Sequence, residues 1–93
     1  KIAYSDIFYI KKEGKNTVFV HKRGESKLRI SLVTVLDELN SGEFYQIDKG
    51  CIANLRHVMK MKGLDLYMRD GMILPIGEAR FQGLKRAILE YWG

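Results

Sequence analysis

The most informative residues of this chain are FYQIDKGCIANLRHV, positions 44–58. They begin with an aromatic segment, Phe44 to Ile47, whose composition predicts a short strand. The polar turn Asp48-Lys49-Gly50 follows, and an apolar run from Cys51 to Ala53 then leads into Asn54-Leu55. This order of strand, turn and apolar run is typical of a β-rich domain.

Residues 1–30 predict three antiparallel strands. Asp6 to Lys12 alternates imperfectly between apolar and polar residues, and Thr17 to Lys22 is rich in β-branched and aromatic residues. The segment between them, Glu13-Gly14-Lys15-Asn16, has turn composition, so the pair predicts a β-hairpin. A second turn at Arg23-Gly24-Glu25 leads into Lys27 to Ile30, whose strict alternation predicts a half-buried strand.

Two segments have apolar residues at helical spacing. Ser31 is placed to cap a first helix, which ends at Asn40-Ser41-Gly42. From Glu78 onward, a second amphipathic pattern predicts a closing helix whose apolar stripe packs on the core. The apolar residues are Leu32, Val35, Leu36 and Leu39 in the first helix, and Phe81, Leu84, Ile88 and Trp92 in the second.

The residues between the two helices add further short strands. Leu64 to Arg69 and Met72 to Ile76 predict a hairpin, because Asp70-Gly71 between them is a strong turn sequence. Pro75 cannot donate a hydrogen bond to a neighbouring strand, which favours an edge position for the second of these strands. The preceding segment also alternates, with Met59 and Met61 on one face and Val58, Lys60 and Lys62 on the other.

Together these segments predict a mainly β fold with two short helices and seven or eight short strands in small antiparallel sheets. A chain of 93 residues can form one core but is too short for two. We therefore expect a single domain over residues 1–93. The sequence begins without methionine and enters strand-like sequence directly, which favours a piece excised from a longer protein.

Composition excludes several classes of protein. No run approaches the roughly 18 apolar residues of a membrane span, and the first residues lack the apolar core of a signal peptide. Cys51 is the single cysteine, so neither an internal disulfide nor a zinc site is expected, and a cytoplasmic location follows. Cys51 is interpreted as a small buried hydrophobe rather than a reactive thiol.

The charge of the chain is positive and uneven. Lys and Arg number 16 against 11 Asp and Glu, which gives a net charge of +5. Residues 1–30 and 49–62 are strongly basic, and residues 31–48 contain no Lys or Arg. Such segmental charge is expected if one face meets a polyanion. A basic surface can equally be an ordinary solvated face, so charge alone leaves both interpretations open.

The sequence contains no recognisable catalytic motif. It has no phosphate-binding glycine loop, no His-x-x-x-His pair and no serine nucleophile elbow. His21 and His57 have no spacing to an acid that requires a catalytic site, so we expect neither an enzyme nor a cofactor. Basic and amide side chains in loops are suited instead to bonding base edges and phosphates of DNA.

Four short motifs along the chain resemble the LytTR family of bacterial DNA-binding domains. They are Asp6-Ile7-Phe8-Tyr9-Ile10, Phe44-Tyr45, Ile52-Ala53-Asn54-Leu55 and Leu74-Pro75-Ile76. The resemblance implies several small β-sheets with short helices, and loops that enter successive major grooves of double-stranded DNA. It also implies paired direct repeats as targets, a possible dimer on DNA, and a receiver or sensor domain in the missing N-terminal portion.

The resemblance directs attention to three loops as candidate base contacts. The first is the hairpin turn Lys15-Asn16-Thr17. The second is Asp48-Lys49-Gly50, which replaces a His-Arg-Ser-like triplet of the family and retains positive charge at Lys49. The third is Gly77-Glu78-Ala79-Arg80, in which Arg80 is the candidate. Further contacts, mainly to phosphates, are predicted for Lys12, Arg56, Lys60 and Lys62.

Two functional hypotheses follow from these observations. The first is sequence-specific binding of double-stranded DNA by the output domain of a bacterial transcriptional regulator in a two-component system. In this hypothesis Asn54 is structural and bonds local backbone rather than a base. The alternative is a non-enzymatic protein-interaction module with a basic face, in which the edge strand near Met72 to Ile76 pairs with a partner.

Overall fold

The computed structural model describes residues 2–93, which form eight strands, two α-helices and three short 3-10 segments. The helices are α1 (Leu32–Leu39) and α2 (Phe81–Trp92), and the 3-10 segments are Tyr4–Asp6, Leu55–His57 and Glu78–Arg80. The strands are β1 (Ile7–Glu13), β2 (Asn16–His21), β3 (Gly24–Leu28), β4 (Phe44–Asp48), β5 (Cys51–Asn54), β6 (Val58–Lys62), β7 (Asp65–Met68) and β8 (Ile73–Pro75).

The strands form two antiparallel sheets. Five strands are ordered β3-β2-β1-β5-β4, and the other three are ordered β6-β7-β8. All strand pairs in both sheets are antiparallel. The predicted fold class, mainly β with two short helices and small antiparallel sheets, is therefore confirmed.

Both faces of the five-stranded sheet are covered. On one face, Ile7, Ile10 and Ile52 pack in a cluster with the apolar residues of α1. On the other face, Tyr9 and Val18 belong to a cluster that includes residues of the second sheet and of α2. The domain is thus built in layers, with the five-stranded sheet between α1 and the second sheet with α2. It holds two buried apolar clusters, so the prediction of a single core from the chain length was wrong.

A β-bulge explains why the first strand alternates imperfectly in sequence. Ile7 pairs with His21 and Tyr9 pairs with Val20. Between these two pairs, β1 moves two residues along the chain and β2 only one. The extra residue, Phe8, changes which face the following side chains occupy. Ile10 can therefore share the α1 face with Ile7, whereas Tyr9 lies on the opposite face.

The first helix forms as the sequence predicts. The Ser31 hydroxyl accepts a hydrogen bond from the Thr34 backbone N–H at 3.1 Å, which satisfies one free donor of the first turn. At the other end, Asn40 adopts a left-handed conformation with φ of 34° and donates its backbone N–H to the Leu36 carbonyl. The apolar residues Leu32, Val35 and Leu39 are buried against the sheet.

The third strand differs from its prediction. The sequence predicted a half-buried strand from Lys27 to Ile30, but β3 spans Gly24–Leu28 and Leu28 is 55% exposed. Its length is set by β2, since Thr17 pairs with Leu28 at the end of the ladder. β3 is the edge strand of the sheet, and no other layer of the domain covers its side chains. The alternation of apolar and polar residues in the sequence therefore does not correspond to burial.

The predicted faces of β6 are also wrong, although its bounds are right. Val58 pairs with Met68 and Lys60 pairs with Tyr67, which marks a bulge at Met59. Because of this extra residue, Val58 is buried and Met59 is 59% exposed. Met61 alone of the two methionines packs against the core.

The β7–β8 hairpin and the closing helix agree with the predicted pattern in shorter form, whereas β4 and β5 each extend one residue beyond it. The β7–β8 hairpin closes through a bond from the Met68 N–H to the Met72 carbonyl at 2.8 Å, and β8 lies at the sheet edge as predicted. The closing helix begins with a 3-10 turn and becomes α-helical only at Phe81. No helix in residues 2–93 combines the length and apolar character that a membrane crossing requires.

A fully buried asparagine joins three parts of the chain. The side-chain amide of Asn54 donates to the Ile7 carbonyl at 2.8 Å and to the Glu43 carboxylate at 2.9 Å. Its oxygen accepts a bond from the Arg56 backbone N–H at 2.9 Å. The prediction that Asn54 is structural fits this geometry, because its polar atoms are used within the domain.

Substitution Asn54→Asp is expected to lower the free energy of unfolding by about 3 kcal/mol near pH 7. The new carboxylate oxygen would face the Ile7 carbonyl and the Glu43 carboxylate, which accept bonds but cannot donate them. Chemical denaturation measures the change. The control, Asn16→Asp, alters an exposed residue and should shift stability by less than about 0.5 kcal/mol. Equal stability of the two variants would contradict this role.

Helix α2 approaches β4 closely at Gly83, where an added Cβ would meet the Tyr45 side chain. A Cβ atom built on Gly83 overlaps the Tyr45 hydroxyl and lies 3.2 Å from Tyr45 Cζ.

Replacing glycine with alanine within a helix normally stabilises a protein by up to about 1 kcal/mol, but here we expect Gly83→Ala to destabilise the domain by about 1–3 kcal/mol. Thermal denaturation of Gly83→Ala, alone and combined with Tyr45→Phe, tests this contact. The Phe background should remove most of the loss, and an undiminished loss would disprove the explanation.

Candidate nucleic-acid interface

Three loops meet at one end of the five-stranded sheet and form a basic groove. They are the β1–β2 turn at Gly14-Lys15, the segment between β3 and α1, and the β4–β5 turn at Lys49-Gly50. The groove has a volume of about 460 Å³ and, among the described residues, no Asp or Glu lines it. Its lining residues are Lys12, Gly14, Lys15, Asn16, Thr17, Arg29, Ile30, Ser31, Leu32, Val33 and Lys49.

The turn that contains Lys49 is held by hydrogen bonds from two sides. The Gln46 side-chain amide donates to the carbonyl oxygens of Asp48 at 3.1 Å and of Lys49 at 3.2 Å. From the neighbouring strand, the Lys12 backbone N–H donates to the Gly50 carbonyl at 2.8 Å. The exposed Lys49 side chain therefore projects from an ordered turn beside Lys12.

The segment before α2 is fixed against the same turn. The Gly77 backbone N–H donates to the Ile47 carbonyl at 2.9 Å, and the Arg80 N–H donates to the Gly77 carbonyl at 2.8 Å. A Cβ on Gly77 would lie 2.9 Å from Asp48 Oδ1, so the close approach explains glycine at this position. The second and third predicted loops are thus in contact, and Arg80 is half-buried one helical turn away.

The predicted contacts in the first loop differ in accessibility. Lys15 and Asn16 are exposed, and both line the basic groove. Thr17 is only 1% exposed, and its hydroxyl donates to the Ile30 carbonyl at 2.5 Å. The Thr17 side chain is buried and its hydroxyl already has a partner within the domain. The predicted DNA contact by Thr17 therefore does not fit the geometry.

Three other predicted contacts lie outside the groove. Arg56 follows the end of β5 that is opposite to the Lys49 turn and lines a separate hollow. The Lys60 ammonium is 4.7 Å from the centre of the Tyr67 ring, a cation–π contact, and lines a groove beside α2. Lys62 is exposed at the end of β6.

Arg29 is a candidate that the sequence reasoning missed. It was assigned to a strand, but it lies beyond the end of β3, is exposed, and lines the groove with Lys12, Lys15 and Lys49. A basic residue two positions before the helix cap Ser31 was the available indication. That indication is useful only when the β3–α1 segment is known to lie next to the β1–β2 turn.

Cys51 behaves as a core residue rather than as a reactive group. It is half-buried and packs against the larger apolar cluster. Burial, and secondarily the negative charge of Asp48, raise the pKa of its thiol to about 12. At neutral pH the thiol is therefore protonated and a weak nucleophile.

Both the sequence and the fold of this chain are similar to those of known proteins. The family model of the LytTr DNA-binding domain matches residues 1–89. Among solved structures, the fold is similar to the LytTr DNA-binding domain of a Bacillus cereus protein described as a methyl-accepting/DNA response regulator, with a TM-score of 0.80. The alignment covers 94% of this chain and 84% of that chain at 15% identity, which supports a shared fold. A comparison with curated proteins finds no match. The match over nearly the whole sequence shows that this chain belongs to the LytTr family of DNA-binding domains.

Proposed function

We propose that this chain binds double-stranded DNA in a sequence-specific manner through the basic groove and the adjoining start of α2. The observation that supports this function most strongly is the convergence of Lys12, Lys15, Arg29 and Lys49 on one groove without a lining acid. Such a concentration of cations attracts phosphates and releases their counterions. The function proposed is one of binding and requires neither catalysis nor a cofactor.

The residues are proposed to divide between phosphate and base contacts. Lys12 and Arg29 are suited to phosphates, because they lie along the groove behind the turns. Asn16, Lys49 and Arg80 are proposed to reach base edges, with Lys15 in support at the hairpin tip. The major groove is about 12 Å wide and admits such narrow turns. Arg56 and Lys60 lie outside the proposed interface. Lys62 also lies outside the basic groove but remains a proposed phosphate contact.

The biological setting of this binding is also proposed. Members of the family act as output domains of bacterial regulators, so we propose that residues 1–93 are such a domain of a longer cytoplasmic protein. A receiver or sensor domain would supply regulation in a two-component system. Direct-repeat targets would be bound by two copies, each with its turns in successive major grooves.

Selection of duplexes from a randomised DNA pool tests the proposal directly. The immobilised domain is incubated with the pool at near-physiological salt, and the retained duplexes are sequenced. Recurrence of a short motif, especially in spaced direct repeats, is expected. If the domain is folded and no motif is enriched, the result would contradict sequence-specific recognition.

Charge removal at three positions should separate the proposed roles. Lys12→Ala is expected to weaken binding to all duplexes and to reduce the slope of log K against log salt by about 0.9. Arg80→Ala should instead flatten the preference at one base position. Binding titrations at several salt concentrations provide the measurement. Lys60→Ala is the matched control outside the groove, and a loss equal to that of Lys12→Ala would place the interface elsewhere.

Gln46 is expected to act as a positioning residue for Lys49. Gln46→Met keeps the size of the side chain and the net charge but removes both hydrogen bonds to the turn. Affinity for the selected site should fall by about threefold to tenfold, consistent with about 1 kcal/mol of lost order in the turn. The salt slope should stay unchanged because no phosphate contact is lost. A reduced slope, as expected for Lys12→Ala, would show a different role.

The β8 edge supports a second, less favoured function in protein interaction. Ile73 is 47% exposed and Met72 is 45% exposed on this unpaired edge. However, β8 has only three residues and ends at Pro75, which leaves little backbone for pairing with another strand. Salt-insensitive peptide binding together with indifference to DNA would favour this alternative.

A further inference from the structure

A second groove lies between β6 and the C-terminal half of α2, away from the proposed DNA contacts. Its floor and walls include Met61 and Ile88, and its volume is about 550 Å³. Three large apolar side chains on its rim remain open to solvent: Met59 is 59% exposed, Leu89 is 67% exposed and Trp92 is 54% exposed. Clustered exposed apolar side chains of this kind are typical of an interaction site.

The rim of this groove is positively charged. Lys60, Arg69 and Lys85 line it, and no Asp or Glu is among its lining residues in the described part of the chain. The single acid of α2, Glu90, lines a different hollow on the other side of the helix. An occupant should therefore combine apolar anchors with negative charge.

The positive charge continues into an adjoining hollow. Arg69 and Trp92 line both depressions, and the second also contains Lys22 and Arg56. Lys22 has a carboxylate nearby, Asp6 at 3.6 Å, and both of those side chains are largely exposed. The cationic surface around Trp92 is thus larger than the groove itself.

The form of the occupant follows from the strand that borders the groove. β6 is an edge strand, but it has a bulge at Met59 and exposed lysines at positions 60 and 62. Bulges and edge lysines oppose the addition of another strand. A helix with an apolar stripe can fill the groove without hydrogen bonds to β6.

We propose that this groove, defined by Met59, Met61, Ile88, Leu89 and Trp92, binds an acidic amphipathic helix of a partner protein. Apolar side chains of the helix would lie between β6 and α2, and its carboxylates would pair with Lys60, Arg69 and Lys85. The inference is separate from the proposed DNA function, because the groove shares no lining residue with the basic groove that holds Lys49.

Trp92 is the only tryptophan of the chain and provides a direct readout. The probe is a synthetic tryptophan-free peptide of about 18 residues, with leucine at helical spacing and glutamate on its remaining positions. Its binding should shift Trp92 fluorescence to shorter wavelength with micromolar affinity, and should weaken as salt is raised. There are two control peptides. The first keeps the leucines and replaces every glutamate with lysine. The second has the composition of the acidic peptide but places leucine at every other position.

Two matched variants locate the binding. Leu89→Gln is expected to weaken the acidic peptide about tenfold, since an exposed anchor in the groove is lost. Ile73→Gln alters an exposed apolar residue on β8, 47% exposed, which lines neither groove, and should leave peptide binding unchanged. Lys85→Gln should weaken binding about threefold by removing one charge from the rim. None of the three should change DNA affinity by more than about twofold.

Several outcomes would overturn the proposal. They are equal binding of the lysine peptide, tighter binding of the alternating peptide, and no effect of Leu89→Gln. Displacement of the peptide by duplex DNA would assign the groove to the DNA interface instead. A Trp92 shift with anionic phospholipid vesicles but not with the acidic peptide would assign it to a membrane surface.

Discussion

The buried amide of Asn54 is the interaction on which the arrangement of this domain depends. It binds the carbonyl at the start of β1, the carboxylate of Glu43 before β4, and the backbone N–H of Arg56. The chain leaves the five-stranded sheet at this residue and enters the 3-10 turn that leads to β6. Because a buried amide without partners is costly, these bonds specify where the second sheet begins. The Leu55 carbonyl then accepts the Trp92 indole N–H at 3.1 Å, which attaches the end of α2 to the same turn.

The basic groove forms at the opposite end of the sheet as a consequence of strand order. β1 and β5 are antiparallel neighbours, with Lys11 paired to Cys51. The turn after β1 and the turn before β5 must therefore lie side by side. This neighbourhood brings together Lys15 and Lys49, which are distant in sequence. The approach of Gly77 to Asp48 then adds the start of α2 to the same end.

Local features of the fold could be predicted from sequence, but features set by other layers could not. The cap at Ser31 and the end of the helix at Asn40-Ser41-Gly42 depend on residues within one helix, and both were predicted. The bulge at Met59 depends on the pairing of β6 with β7, so alternation alone assigned the wrong faces. Resemblance to the family indicated Lys49 as a candidate contact, and the structure places its turn beside Lys12. It could not reveal that Thr17 is buried or that Arg29 joins the groove, because both facts require the position of the β3–α1 loop.

Helix α2 runs between the two proposed binding regions. Its first turn follows Arg80 beside the β4–β5 turn, and Trp92 at its end lines the apolar groove. Twelve residues of α-helix span ~18 Å, about twice the screening length of ~8 Å at physiological salt. Charge on a helix bound near Trp92 would therefore be largely screened from DNA phosphates near Arg80. A carboxylate paired with Lys85 would lie only ~7.5 Å along α2 from Arg80 and would be screened less. Because the two grooves share no lining residue, a partner in the second groove would not compete directly for the residues proposed to contact DNA.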